Sequence, residues 1–62
     1  MDELYKVKYI AFDRYNYEED ENSFDNLTEA IQEVNRIANG PLRYEYIHLV
    51  WGCSLLLELY GD

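Results

Sequence analysis

Sixty-two residues, thirteen of them acidic and five basic, carry a formal net charge of −8, and 48% are hydrophobic. Such a length allows one small domain, residues 1–62, and such a charge argues against direct nucleic-acid or anionic-membrane binding while attracting basic protein surfaces. One cysteine, Cys53, and one histidine, His48, exclude an intramolecular disulfide framework and a Cys/His zinc set. The chain therefore reads as a cytoplasmic protein with a marginal core, for which a second subunit is the support left open.

In chain order, "MDELYK", Met1 to Lys6, is identical to the C-terminal peptide of green fluorescent protein. A fusion remnant and a native start both fit it, and no function is placed on it. From Tyr5, alternation predicts a strand: Tyr5, Val7, Tyr9 and Ala11 share one face, while Lys6 and Lys8 begin another that turns apolar at Ile10 and Phe12. "YNYEEDENSFDN", Tyr15 to Asn26, has no periodicity through its acids and reads as a loop. Helix-dipole stabilisation accounts for Asp25 and, more weakly, Asp20 and Glu21 just before the next element, but not for Glu18 and Glu19.

Leu27, Ala30, Ile31, Val34, Ile37 and Ala38 recur at spacings of three and four and predict a helix over about 27–38. Thr28, Glu29, Gln32, Glu33, Asn35 and Arg36 face away from that stripe. Asn26 caps its start with Glu29 three residues on, and Asn39-Gly40-Pro41 ends it, with Gly40 suited to a left-handed closing position. "LRYEYIHLVW" alternates again, setting Tyr44, Tyr46, His48 and Val50 against Glu45, Ile47, Leu49 and Trp51. In "SLLLELY", Leu55, Leu57 and Leu59 oppose Leu56, Glu58 and Tyr60. Gly52-Cys53 between the two segments fits a two-residue hairpin turn, preferred here over a buried C-terminal helix. The expected fold class is α+β: β-α-β-β, a three-stranded sheet with one helix packed on one face.

One helix cannot cover both faces of such a sheet. The face carrying Tyr44, Tyr46 and His48 is therefore the expected homodimer interface. No catalytic or cofactor-binding set emerges. His48 lacks a recognisable nucleophile and orienting acid, and Cys53 falls in a turn. Asp13, Asn16, Glu18, Asp20 and Asn22 offer oxygens to calcium, but without the glycine and terminal glutamate of an EF-hand. The three glycines are too scattered for a phosphate loop. The expected reading is a non-enzyme without cofactor or metal.

Tyr15, Tyr17, Glu18, Glu19, Asp20 and Glu21 combine aromatic and acidic side chains, which suits recognition of a basic protein. Over its whole length the chain resembles, in size, charge and tyrosine content, the small acidic proteins that bacteriophages make early in infection to block host enzymes or defence systems. That resemblance implies an inhibitor or modulator of a nucleic-acid-binding host protein, acting in the host cytoplasm. The alternative is a structural homodimerisation module whose charge serves solubility.

Overall fold

The computed structural model describes residues 3–61. The elements are β1 (Tyr5–Phe12), β2 (Tyr17–Phe24), α1 (Leu27–Ala38), β3 (Arg43–Trp51) and β4 (Ser54–Tyr60). The α+β class holds, but the sheet has four strands, in the order β2-β1-β3-β4, every neighbouring pair antiparallel. The fourth strand is the acidic segment expected to be a loop.

Edge pairing explains that difference. β2 is an edge strand, and most of its side chains face solvent on both sides of the sheet, so no apolar alternation is required of it. Its low intrinsic strand preference is overridden by the ladder with β1, from Phe12↔Tyr17 to Tyr5↔Phe24. The turn is closed by Asp13. Its carboxylate accepts from the backbone N–H groups of Tyr15 at 2.7 Å and Asn16 at 2.6 Å, while the Asp13 N–H donates to the Asn16 carbonyl at 2.8 Å. This is the local bonding that makes Asp and Asn turn residues. At the far end, Phe24 packs on the core.

The helix has the expected bounds. Asn26, in extended backbone, accepts from the Glu29 N–H at 2.9 Å through its side-chain oxygen. This satisfies one of the donors that a helix start leaves open. At the other end Gly40 does not take a positive φ; among the described residues only Gly52 does. Gly40 instead lies where a Cβ would sit 3.0 Å from the Arg36 carbonyl oxygen, so space rather than handedness favours glycine there.

Ala30, Val34 and Ile37 bury against Val7, Tyr9 and Ala11 of β1 and Ile47 and Leu49 of β3. Fully burying a side chain such as Ile47, Leu49 or Val7 contributes about 1.5–3 kcal/mol. The buried stripe is narrower than expected. Leu27 and Ile31 remain 40% and 43% exposed on one flank. Glu33, on the other flank, does not face away: its side chain is only 12% exposed.

Two register shifts re-sort the faces. Between Ile10↔Tyr46 and Ala11↔Tyr44, β3 carries the extra residue Glu45. Tyr44 therefore turns to the helix side, where it packs against the core, instead of sharing a face with Tyr46 and His48. Between Leu49↔Leu57 and Val50↔Leu55, Leu56 is the extra residue in β4. Leu55 consequently joins Val50 on the open face, away from Leu57 and Leu59. The β3–β4 hairpin itself is as expected. Gly52 has φ 60°, and Cys53 has no positive φ, the arrangement of a type II′ turn.

This packing yields a direct test. Val34→Asp places a charge against Val7 and Leu49 and is expected to cost several kcal/mol and abolish the folded state. Gln32→Ala on the exposed side should stay within about 0.5 kcal/mol. Chemical denaturation followed by circular dichroism measures both. Equal losses would show that the helix is rotated from the phase described.

Candidate protein-recognition edge

Pairing with β1 divides the acids of β2 between the two sides of the sheet. Glu18, Asp20 and Asn22 lie opposite Ala11, Tyr9 and Val7, and so point to the helix side. Tyr17, Glu19 and Glu21 lie opposite Phe12, Ile10 and Lys8, on the open side. Together they form a rim along one edge of the sheet rather than a patch on one face. Asp20 and Glu21 sit within the strand, so of the three acids credited to the helix dipole only Asp25 directly precedes the cap.

The helix side of this rim is structurally engaged. The Tyr9 hydroxyl donates to Glu18 Oε2 at 3.2 Å, and burial, aided by the neighbouring carboxylate, pushes the Tyr9 phenol up from its ordinary value. Asn22 Nδ2 donates to Glu33 Oε2 at 2.9 Å, fastening the edge strand to the helix. Arg36 donates to the same carboxylate, from Nε at 2.6 Å and from a terminal nitrogen at 3.0 Å. The Arg36 hydrogen bonds hold the Glu33 carboxyl below the ordinary glutamate value against the opposing effect of burial. Arg36 is raised in turn.

The open side is freer. Among the described residues, neither Glu19 nor Glu21 has a side-chain hydrogen bond or ion pair; Lys8 lies across from Glu21 without closing one. Tyr17 is 66% exposed, and Tyr15, at the tip of the β1–β2 turn, is 85% exposed. The six residues Tyr15, Tyr17, Glu18, Glu19, Asp20 and Glu21 thus share one continuous hairpin edge. Two aromatic rings stand at its turn end, and four carboxylates follow along the strand. Asp13, which shapes that end, has its carboxyl lowered by the Tyr15 N–H and by Asn16.

Tyr46 and His48 lie elsewhere, on the open face near β4. Their rings are 4.6 Å apart, and His48 meets Tyr60 edge-on at 5.8 Å. His48 Nε2 is 3.3 Å from the Tyr60 hydroxyl, which donates to Glu58 Oε2 at 3.1 Å. The bond to Glu58 raises the Tyr60 phenol. This chain of groups, half-buried at Tyr46 and His48 and exposed at Glu58 and Tyr60, links β3 to β4. Cys53 stands exposed in its turn. Among the described residues no three His, Cys, Asp or Glu side chains converge as metal ligands, and no helix is long and apolar enough to cross a membrane.

Comparison with protein-family models, curated proteins and solved structures finds no match to this chain. The site therefore rests on its own geometry. Sequence periodicity missed three parts of it: the Asp13 turn, the Asn22–Glu33–Arg36 fastening and the Glu58–Tyr60 pair. Asp and Asn bracketing "DRYN" were the available signal for the first. The other two depend on register and had none.

The fastening has a pH signature. Glu33 titrates below its ordinary 4.5 in the folded chain. Its contribution is therefore complete above the unfolded value and is lost as pH falls through the folded one. Glu33→Gln should lower the denaturation midpoint at neutral pH, and the gap to the native chain should narrow as pH is taken below 4.5. Midpoints of both proteins across that range check it. A gap independent of pH would exclude an ionic role for Glu33.

Proposed function

We propose that this protein is an acidic interaction module whose β2 edge recognises a basic protein surface, in the manner of an inhibitor or modulator of a nucleic-acid-binding protein. The supporting observation is that four consecutive carboxylates are held on a hydrogen-bonded strand, with Glu19 and Glu21 unpaired among the described residues, beside two exposed tyrosines. Like charges so arranged repel one another and are destabilising, and a basic partner relieves that repulsion on binding. An edge strand also presents regularly spaced side chains, so the carboxylates alternate at a fixed interval of about 3.3 Å per residue. Such an array mimics the charge spacing of no single ligand, but it is matched by clusters of Arg and Lys that otherwise hold phosphates.

The tyrosines supply what charge alone does not. Tyr15 and Tyr17 bring broad apolar rings with hydroxyl tips, the type of side chain enriched at protein interfaces. Charge would set the rate and orientation of encounter, and the rings would add the buried area. A host protein of a bacteriophage-encoded inhibitor is a partner of this kind, and a place in the host cytoplasm follows from that reading. No catalytic step is proposed.

The test neutralises the rim without changing its shape. A variant with Glu18→Gln, Glu19→Gln, Asp20→Asn and Glu21→Gln keeps the Tyr9 acceptor and the strand. Native and neutral chains serve as paired baits in lysate at low ionic strength, followed by salt elution and by association kinetics with the captured protein. Basic proteins should be held by the native chain and lost from the neutral one, with an on-rate about 10–1000-fold lower and a salt dependence largely removed. Equal capture and equal rates would overturn the proposal.

A further inference from the structure

The two edges of the sheet are chemically opposite. β2 carries four acids in a row, whereas β4 carries one, Glu58, in a strand otherwise rich in leucine. The helix follows the same division. Its Glu33 flank is tied to Asn22 of β2, so the opposite flank, bearing Leu27 and Ile31, is turned toward the β4 side. Ala38 on that flank lines a cleft with Leu42, Tyr44 and Tyr60, which confirms the direction. The helix packs on β1, β2 and β3 but does not reach β4. Leu57, on the helix side, is consequently 38% exposed; Leu56 in the bulge is 47% exposed, Leu55 on the open face 51%, and Trp51 at the head of the hairpin 43%. The open face, by contrast, is partly self-covered: Ile10, Phe12, Tyr46 and Val50 are only half-exposed.

The backbone of β4 is available as well. The Gly61 N–H donates to the Glu45 carbonyl at 3.3 Å. By alternation, the main-chain groups of Leu57 and Leu59 also face β3, and those of Glu58 and Tyr60 face outward. An apolar edge with free N–H and C=O groups is a template for another strand.

We propose that β4 pairs antiparallel with β4 of a second copy of this chain, making one continuous eight-stranded sheet with the acidic β2 strands at its two outer ends. Charge selects this edge for self-association. Two chains of net charge −8 repel, and β4-to-β4 pairing keeps their most acidic strands as far apart as the sheet allows. A basic partner, suited to β2, gains nothing from leucines. The dimer is an isologous contact in which each helix's Leu27–Ile31 flank and each Leu57 help cover the other's. A standard interface takes about 800 Å2 per partner, a modest share of the 4672 Å2 that one chain exposes. The bulge at Leu56 confines regular pairing to Leu57–Tyr60, and a register that opposes Glu58 to itself is disfavoured by like-charge repulsion. This inference is independent of the reading of β2: a chain whose β2 edge binds nothing would dimerise all the same.

Sedimentation of the full chain, with reductant present to keep Cys53 from cross-linking, tests it. Twice the monomer mass is expected at micromolar concentration, with the dissociation constant falling as salt rises because screening weakens the repulsion between the two chains. Leu57→Lys should raise that constant at least tenfold while leaving the circular dichroism unchanged; Lys8→Glu, on the open face, should not disrupt the dimer. Should Leu57→Lys fail to fold, hydrogen exchange on the native chain decides. The Glu58 and Tyr60 amides should gain protection as concentration passes from monomer to dimer. A chain that stays monomeric to high micromolar concentration, a dimer dissolved by Lys8→Glu but not by Leu57→Lys, or a dimer in which those two amides exchange freely overturns the proposal.

Discussion

A twelve-residue helix is about 18 Å long and about 10 Å across, while four strands at about 4.8 Å spacing make a sheet nearly twice as wide. The helix can therefore roof only the middle of the sheet. Val7, Tyr9, Ala11, Ile47 and Leu49, the buried sheet residues, all come from the two central strands. Most of each edge strand falls outside the roof, and each answers the shortage differently. β2 fills its surface with carboxylates that need no roof. β4 keeps leucines that do.

From that asymmetry comes the division of the helix into two flanks. Glu33 reaches down toward β2 because that polar strand offers it an amide, Asn22, while Arg36 on the same flank of the helix partners its charge. Leu27 and Ile31, on the other flank, hang over a strand that the helix does not touch. A helix shifted toward β4 would cover its leucines but expose Tyr9 and Ala11 and break the fastening to β2. The observed placement favours the larger ring of Tyr9 and a charge-assisted hydrogen bond, of the kind that contributes about 1.5–3 kcal/mol, over partial cover for an edge.

Sequence periodicity was a good guide wherever one face of an element is buried along its length. The helix bounds and the inward set of β1 are legible for that reason, and the Gly52 turn from glycine's access to positive φ. β2 was not, because a strand with nearly every side chain in solvent carries no alternation to read; its signal lay in the turn residues Asp13 and Asn16. Strict alternation puts Tyr44 and Leu55 on the wrong faces because each sits beyond a bulge. One extra residue reverses every later side chain, and neither Glu45 nor Leu56 looks different from a regular strand residue. Glu33 was misplaced because a helical stripe specifies only its centre; which flank is wet depends on the neighbouring strand. The acidic rim, a feature of local sequence, was visible at once. Its division between two sides was not, since that follows from register with β1.

The strand state of the acidic run changes its physical meaning. In a flexible loop, four adjacent carboxylates spread apart and their repulsion is relieved by motion, so a partner must reorder them on binding. On β2 the backbone is fixed by the ladder to β1 and by the Asp13 turn, and the ordering cost, about 1–2 kcal/mol per residue, is met by folding rather than by binding. The repulsion then stays in the free protein as a standing electrostatic strain on its edge. Lys6 and Lys8, which follow the rim on the neighbouring strand, are too few to cancel it, and only a single donor quiets each of Glu18, through the Tyr9 hydroxyl, and Asp20, through the Glu21 N–H. A surface that is both pre-ordered and under-neutralised is stable only because the central strands beneath it are well packed. The same charge that discourages another strand from adding at this edge is what a cationic surface would find attractive, so one feature both protects the edge and leaves it open to a partner of opposite sign.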